Sequence, residues 1–281
     1  MDFDIPAELE AYLTELDRFI EDEIKPLENE NDNIRFFDHR REDARTDWDR
    51  GGLPTEDWEA LLFEARTRAD RAGHYRFAMP KELGGKDGGN LAMAVIREHL
   101  ATKGLGLHND LQNEHSIVGN NVGVLLMAEY GSSEQKEEWL PLMLEGKRGF
   151  AFGITEPAHG SDATHMETNA VRDGDGWKIN GAKTWNTGIH KAQYDMVMAR
   201  TSGKAGDGDG ITAFLTPLDA EGAKIEEFLW TFNMPTDHGT VSFKDVYVDN
   251  SAIFGEEGHG LQIVQHFFNE NRIRQVFGQR R

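Results

Sequence analysis

The 281-residue sequence predicts an α+β chain in three parts: a helical N-terminal domain over 1–148, a middle β domain over 149–250, and a return to helix over 251–281. Three observations predict it. Apolar residues recur at spacings of three and four through the first part. Near Gly149 they give way to short β-branched and aromatic segments separated by Gly, Asp and Asn turns. After Gly260 the helical spacing returns.

In chain order, Leu9, Leu13, Leu16, Phe19 and Ile20 form the stripe of an amphipathic helix that Pro26 helps to end. Asn29 to Gly52, dense in Asp, Asn and Arg, reads as a long polar connection. A second helix begins after Pro54 with Trp58, Leu61, Leu62 and Ala65 inward. Further helices are expected over Leu91 to Thr102 and over His115 to Tyr130. The second of these has Ile117, Val118, Val122, Leu125 and Leu126 on its apolar face and Gly131 as C-cap. Ser132 with Gln135 forms a capping box that opens a helix through Leu144. Beyond Gly149, Asp173-Gly174-Asp175-Gly176 and Asn180-Gly181 are turn signals. Asp195 to Arg200, Ile211 to Pro217 and Thr240 to Val248 carry strand residues. On the last helix Leu261, Val264, Phe267 and Phe268 share one side, an apolar face expected to lack its partner.

Composition bounds the function. With 38% hydrophobic, 10% aromatic and 28% charged residues the chain is of the globular type. No run of about 18 apolar residues suggests a membrane span. An acidic start, Met1-Asp2-Phe3-Asp4, without an apolar core after it argues against a secretory signal, and a cytoplasmic location is expected. Zero cysteines exclude disulfides, thiol catalysis and cysteine-ligated metals. A net charge of −20 argues against nucleic acid as a partner. The acid excess reads first as a solubility feature, with adaptation to high salt as the other reading. Lys183, Arg200 and Arg272 remain local candidates for a phosphate. His108, His115, His159, His165, His190, His238, His259 and His266 fall in no metal-ligand spacing, so no metal site is expected. The Gly255–Gly260 run lacks the strand-to-helix unit of a dinucleotide fingerprint and reads as a turn between domains.

Two segments concentrate the chemistry: Phe150-Ala-Phe-Gly-Ile-Thr-Glu-Pro-Ala-His-Gly-Ser-Asp162 and Lys183-Thr-Trp-Asn-Thr-Gly188. Thr155, Ser161 and Thr187, set among Ala151, Gly153, Ala158 and Gly160, offer hydroxyls and bare amides that can closely approach a flat polar ring. Trp185 adds an apolar face with one donor. The plainer reading is a strand–turn–strand of an ordinary β domain.

These segments resemble the flavin-binding signatures of the acyl-CoA dehydrogenases. Ile154-Thr155-Glu156-Pro157, Gly160-Ser161-Asp162 and Asn180 to Thr187 stand in that family's order and spacing, with Ala158-His159 departing from its usual pair of small residues. Pro80 to Gly85 and Asp245-Val246-Tyr247-Val248 extend the similarity. The resemblance implies a helical N-terminal domain, a β-barrel-like middle domain and the start of a C-terminal helical bundle. It implies FAD as cofactor, with Thr155 and Thr187 near the flavin ring and Phe152, Ile154 and Trp185 packing beside it. Ser161 is implied at the flavin phosphate or the CoA end, and Asn269 and Arg272 at the substrate mouth.

The implied reaction belongs to fatty acid metabolism: α,β-dehydrogenation of an acyl-CoA to a trans-2-enoyl-CoA. A carboxylate removes the α-proton, hydride passes to flavin N5, and electrons leave through an electron-transfer flavoprotein. The family's full-length members are oligomers, so a homo-oligomer is implied. No catalytic base is expected in this chain. If Arg272 matches the arginine that follows the glutamate in a minority of members, Asn271 occupies the glutamate's place, and an amide cannot take a proton. Glu270 is turned about 100° away on a helix. The base is therefore expected beyond Arg281. A non-catalytic FAD or CoA-thioester binding protein or subunit is an alternative, as is an acyl-CoA oxidase or nitroalkane oxidase of the same architecture.

Overall fold

The computed structural model describes residues 4–109, 116–119, 121–231 and 234–278. The chain divides into two compact units. One comprises Met1–Arg45, Thr55–Val122 and Phe268–Arg281, and the other Thr46–Pro54 and Gly123–Phe267.

The first unit is helical. α1 (Ala7–Phe19) continues through a π-helical turn at Ile20–Ile24 into α2 (Lys25–Asn29). Pro26 therefore does not end the helix as its sequence position suggests. The wider turn restarts the helix so that Pro26 falls in the first turn of α2, where a missing N–H is tolerated. The expected stripe of Leu9, Leu13, Leu16, Phe19 and Ile20 is buried. The polar connection that follows is ordered, with 3₁₀ turns at Glu30–Phe37 and His39–Arg45. Its buried Phe36 lies against Trp58, and the Arg45 guanidinium stands 4.4 Å over the Trp58 ring. α3 (Glu56–Arg71) is capped by the Thr55 hydroxyl and buries Trp58, Leu61, Leu62 and Ala65 as expected. α4 (Asn90–Thr102) adds Met93, Ile96 and Leu100 to the same core.

One helix boundary differs from expectation. His115 lies outside the described residues, and Ile117 and Val118 are fully buried but not helical. Here the backbone bonds elsewhere: Ile117 N–H donates to His108 O, Val118 N–H to Ser116 Oγ and Gly119 N–H to Tyr75 O. α5 accordingly begins at Val122 and runs to Tyr130. Gly131 follows it and donates to Met127 O without adopting the left-handed conformation of a glycine cap. α6 (Ser133–Leu144) opens with the expected capping box, Ser132 Oγ accepting from Gln135 N–H and Gln135 Oε1 from Ser132 N–H.

In the second unit β1 (Thr46–Asp47) pairs with β2 (Leu53–Pro54). The main sheet contains β3 (Phe150–Gly153), β4 (Asn169–Asp173), β5 (Gly176–Thr187), β6 (Tyr194–Arg200), β7 (Ile211–Pro217), β8 (Ala223–Thr231), β9 (Met234–Asp249) and β10 (Ile253–Phe254). Their order is β10-β7-β6-β4-β5-β9-β8, with β3 added parallel to β6. No pairing joins β10 to β8 among the described residues, so the barrel-like domain is an open sheet. Its core holds Trp177, Ile179, Val197, Phe214, Val241, Phe243 and Val246.

The turn signal at Asp173–Gly176 is the β4–β5 hairpin. The Asn180-Gly181 signal is not a turn. It is a bulge inside β5, where the register against β9 shifts between Ile179 and Gly181. The Asn180 side chain spans the gap, donating to Asp245 Oδ1 and accepting from Asp245 N–H. α7 (Gly260–Gly278) is the final helix. Its expected unpartnered face is partly filled: Val264 and Ile263 are buried, and Phe267 stacks on Phe152. No helix among the described residues is long and apolar enough to cross a membrane.

Candidate functional site

The two signature segments meet in the second unit. β3 carries the first up to Gly153, after which the Thr155 carbonyl accepts the Thr184 N–H of β5 at 2.8 Å. That bond joins the first signature to the strand that carries the second. Beneath it lies an ion pair. Lys183 Nζ, fully buried, donates to Glu156 Oε1 at 2.8 Å and to the Ile154 carbonyl at 3.3 Å. Glu156 also accepts the Glu167 and Thr168 N–H groups at 2.6 and 2.9 Å. Burial alone would raise the Glu156 carboxyl, but the Lys183 charge and the two backbone donors outweigh it and hold the group below its ordinary value. Burial lowers the Lys183 ammonium against the pull of Glu156. Lys183 is thus a clamp, unavailable to a phosphate as the sequence allowed. Arg200 is likewise committed, its guanidinium donating to the carbonyls of Thr164, Asp207, Ser202 and Asp209.

Strand alternation fails at Trp185 and thereby sets the outward face of the site. The register against β9 breaks between Lys183 and Asn186, and Trp185 takes a left-handed φ of 62° with the residue 49% exposed. An exposed indole on strained backbone is a costly arrangement that structures keep at functional positions. After the break Asn186 points inward and Thr187 outward. Thr187 Oγ1 lies 3.0 Å from His238 Nε2 on β9, and His238 Nδ1 bonds Asp237 Oδ1. The Trp185 ring meets the His238 ring edge-on at 6.4 Å. Sequence spacing does not show Asp237 or His238, since 51 residues separate His238 from Thr187.

Behind this face Asp195 of β6 is fully buried and accepts the Asn186 amide at 2.5 Å. Its Oδ1 and that of Asn186 have no hydrogen-bond partner among the described residues. Burial pushes the Asp195 carboxyl up to about 7, against the pull of Lys183 and Asn186. Gly153 is what leaves it room, because a Cβ there would stand 2.8 Å from Asp195 Oδ1.

The remaining site candidates are dispersed. Phe152 stacks on Phe267 with ring centroids 4.0 Å apart and planes at 10°. Ile154 and Thr155 are half-buried, and Ser161 is exposed on the loop before the 3₁₀ turn that Asp162 caps. Asn269 and Arg272 are exposed on the part of α7 that belongs to the first unit, with the Arg272 guanidinium 5.9 Å over the Phe268 ring. Asn271 is half-buried on the same helix. Among the described residues no group of three His, Asp or Glu side chains could hold a metal ion. Chemically, the outward face combines hydroxyls, a half-exposed indole and an imidazole. That set fits a flat heteroaromatic ring bearing nitrogen and oxygen acceptors better than a metal or an isolated anion.

The chain is similar to known proteins over most of its length. Residues 34–147 match the family model described as "Acyl-CoA dehydrogenase, N-terminal domain", and residues 151–246 match "Acyl-CoA dehydrogenase, middle domain". The human mitochondrial short-chain specific acyl-CoA dehydrogenase is 31% identical over 198 residues, 69% of this chain and 46% of that protein. Glutaryl-CoA dehydrogenase of Desulfococcus multivorans is 29% identical over 283 residues, 99% of this chain and 65% of that protein. The crystal structure of an acyl-CoA dehydrogenase from Geobacillus kaustophilus superposes with a TM-score of 0.67 at 25% identity, covering 99% of this chain and 66% of that one. The chain thus spans between about half and two thirds of the length of these curated relatives.

Proposed function

The chain belongs to the acyl-CoA dehydrogenase family, and we propose that it supplies the FAD platform for α,β-dehydrogenation of an acyl-CoA thioester. One observation carries the reading. The Thr155–Thr184 backbone bond, locked by Lys183–Glu156 beneath, brings the Thr155 loop beside a strand that turns Trp185 and Thr187 outward. Thr155 and Thr187 would hydrogen-bond the ring, with Trp185 and Ile154 packed beside it; Phe152 would contribute the ring face not covered by Phe267. Ser161 would meet the flavin phosphate or CoA, and Asn269 and Arg272 the substrate mouth, where a guanidinium suits a phosphate. Bound FAD would accept hydride from the acyl β-carbon; the organic step is the cofactor's, and these residues align and exclude water.

Proton abstraction is not assigned to a residue of this chain. Asn271 precedes Arg272 where a carboxylate would serve, and an amide has no basic site for an α-proton. That observation favours a second reading, in which this chain is a flavin- or thioester-binding subunit completed by another polypeptide. A solved neighbour, 25% identical with a TM-score of 0.67, is described as the ChsE4–ChsE5 complex of Mycobacterium tuberculosis, which supports a reading with a second polypeptide. On this reading an electron-transfer flavoprotein would accept the electrons.

Flavin absorbance of the purified chain, followed by anaerobic addition of an acyl-CoA series, tests both parts. Bound FAD that does not bleach is the expected result. Bleaching by this chain alone would place a working base within it, and absence of flavin binding would remove the platform reading.

A further inference from the structure

The hydrogen-bond chain Asp237–His238–Thr187 is more than the platform reading requires. A hydroxyl facing a ligand needs no imidazole behind it, yet Thr187 Oγ1 is 3.0 Å from His238 Nε2 while Asp237 engages Nδ1. Resting on the FAD reading, we propose that His238, oriented by Asp237, is a positioning residue that sets which way the Thr187 hydroxyl proton points. The carboxylate keeps the hydrogen on Nδ1. With a neutral ring, Nε2 is an acceptor, so Thr187 O–H donates inward and presents lone pairs to the ligand. With an imidazolium, Nε2–H donates to Oγ1 and Thr187 O–H is released outward as a donor.

A side chain of reversible polarity suits one class of ligand: a heteroaromatic ring whose nitrogen accepts a hydrogen bond in the oxidised state and carries a hydrogen in the reduced state. Flavin is of that class. The charged group facing His238 on its own strand is Asp237. From β5 it meets Thr187 and Trp185, and from β8 its register partner is Leu229, while the β8 carboxylate Glu227 sits opposite Thr240 and accepts from its hydroxyl. The geometry places the Asp237 carboxylate on His238 Nδ1, and the switch turns with protonation of the ring. Acceptor ligands gain a donor as pH falls and lose it as pH rises.

The test is the affinity of the chain for oxidised FAD, read by flavin fluorescence between about pH 5.5 and 8.5, the range over which imidazoles titrate. Affinity should weaken about three- to tenfold as pH rises, a change of the size one hydrogen bond supplies. Thr187→Val and His238→Gln should each flatten that profile, and the double variant should add nothing to either single one. Thr187→Ser, which keeps the hydroxyl, should restore the wild-type slope. Nitrogen-15 spectra of labelled histidine should show the Nδ1–H tautomer for His238 at high pH. A flat wild-type profile with tight FAD binding, additive single effects, or the opposite tautomer would overturn the switch and leave the FAD reading standing. A wild-type chain that binds no flavin removes the FAD reading and the switch with it. If His238→Gln fails to fold by circular dichroism, the Thr187 pair decides.

Discussion

Asp195 shows how a single residue can bind the stability of the site to pH. Its carboxyl is fully enclosed, and burial raises it to about 7 from an ordinary value near 3.8. Between those values the folded protein holds a proton that the unfolded chain has released, so stability is greatest below the unfolded value and declines as pH rises toward 7. Above 7 both states are ionised and the loss is complete, amounting to at most about 4 kcal/mol at about 1.4 kcal/mol per unit. Asp195→Asn removes the titration, and its amide N–H₂ can donate to the orphaned Asn186 Oδ1. Urea midpoints of both proteins at pH 5, 6, 7 and 8 should diverge in favour of the variant and then level off; a constant difference would show that Asp195 does not change protonation. The opposite sign applies at Lys183. Removing one member of a well-bonded buried pair strands the other, so Lys183→Met should cost about 3–5 kcal/mol, and Lys183→Met with Glu156→Gln should recover part of it. Chemical denaturation of the three variants checks this, and a double variant no more stable than the single one would refute it.

At the scale of elements, two glycines that look alike in sequence part company. Gly174 turns the β4–β5 hairpin at φ 59°, with open space where a Cβ would stand. Gly181 sits in the β5 bulge at φ 144°, where a Cβ would lie 2.4 Å from Thr168 Oγ1 and 2.7 Å from its Cα. Gly174→Ala should therefore cost about 1 kcal/mol, the left-handed penalty alone. Gly181→Ala should cost about 3 kcal/mol or more, adding an occupied site to a conformation almost reserved for glycine. Denaturant midpoints that coincide would mean the bulge can rearrange. The same contrast explains what the sequence made legible. Local chemistry carries its own signal, so the Ser132–Gln135 capping box, the buried faces of α1 and α3, and strands β6 and β7 follow from spacing. Tertiary partners carry none: Asn180-Gly181 resembles a turn until Asp245 is brought opposite it, and Pro26 resembles a stop until the π turn precedes it. The threonines became candidates because a family pattern marks them. His238, Asp237 and the Asn186–Asp195 pair were not, because the register of β5 against β9 and the bulge at Trp185 decide what they meet.

For the whole molecule the governing quantity is charge. A net −20 over 281 residues compresses mutual repulsion into the folded state, whereas the unfolded chain spreads it. The local ion pairs do not offset this, because most of them, such as Lys25–Glu21, Arg41–Asp32 and Lys224–Glu226, are exposed and individually weak. The Lys183–Glu156 pair is enclosed, and ions do not reach it. Added salt should then act in one direction. Raising ionic strength from about 0.01 M to 1 M shortens the screening distance from about 30 Å to about 3 Å, which removes long-range repulsion while leaving the buried clamp intact. Thermal unfolding should move upward by several degrees across that range, about 2–4 °C for each kcal/mol recovered in a chain of this size. Sodium and potassium chloride should act alike, since screening depends on charge and concentration and not on a site. Potassium chloride failing to match sodium chloride would point to specific ion binding, and a midpoint that falls with salt would mean that surface pairing outweighs net repulsion in this fold.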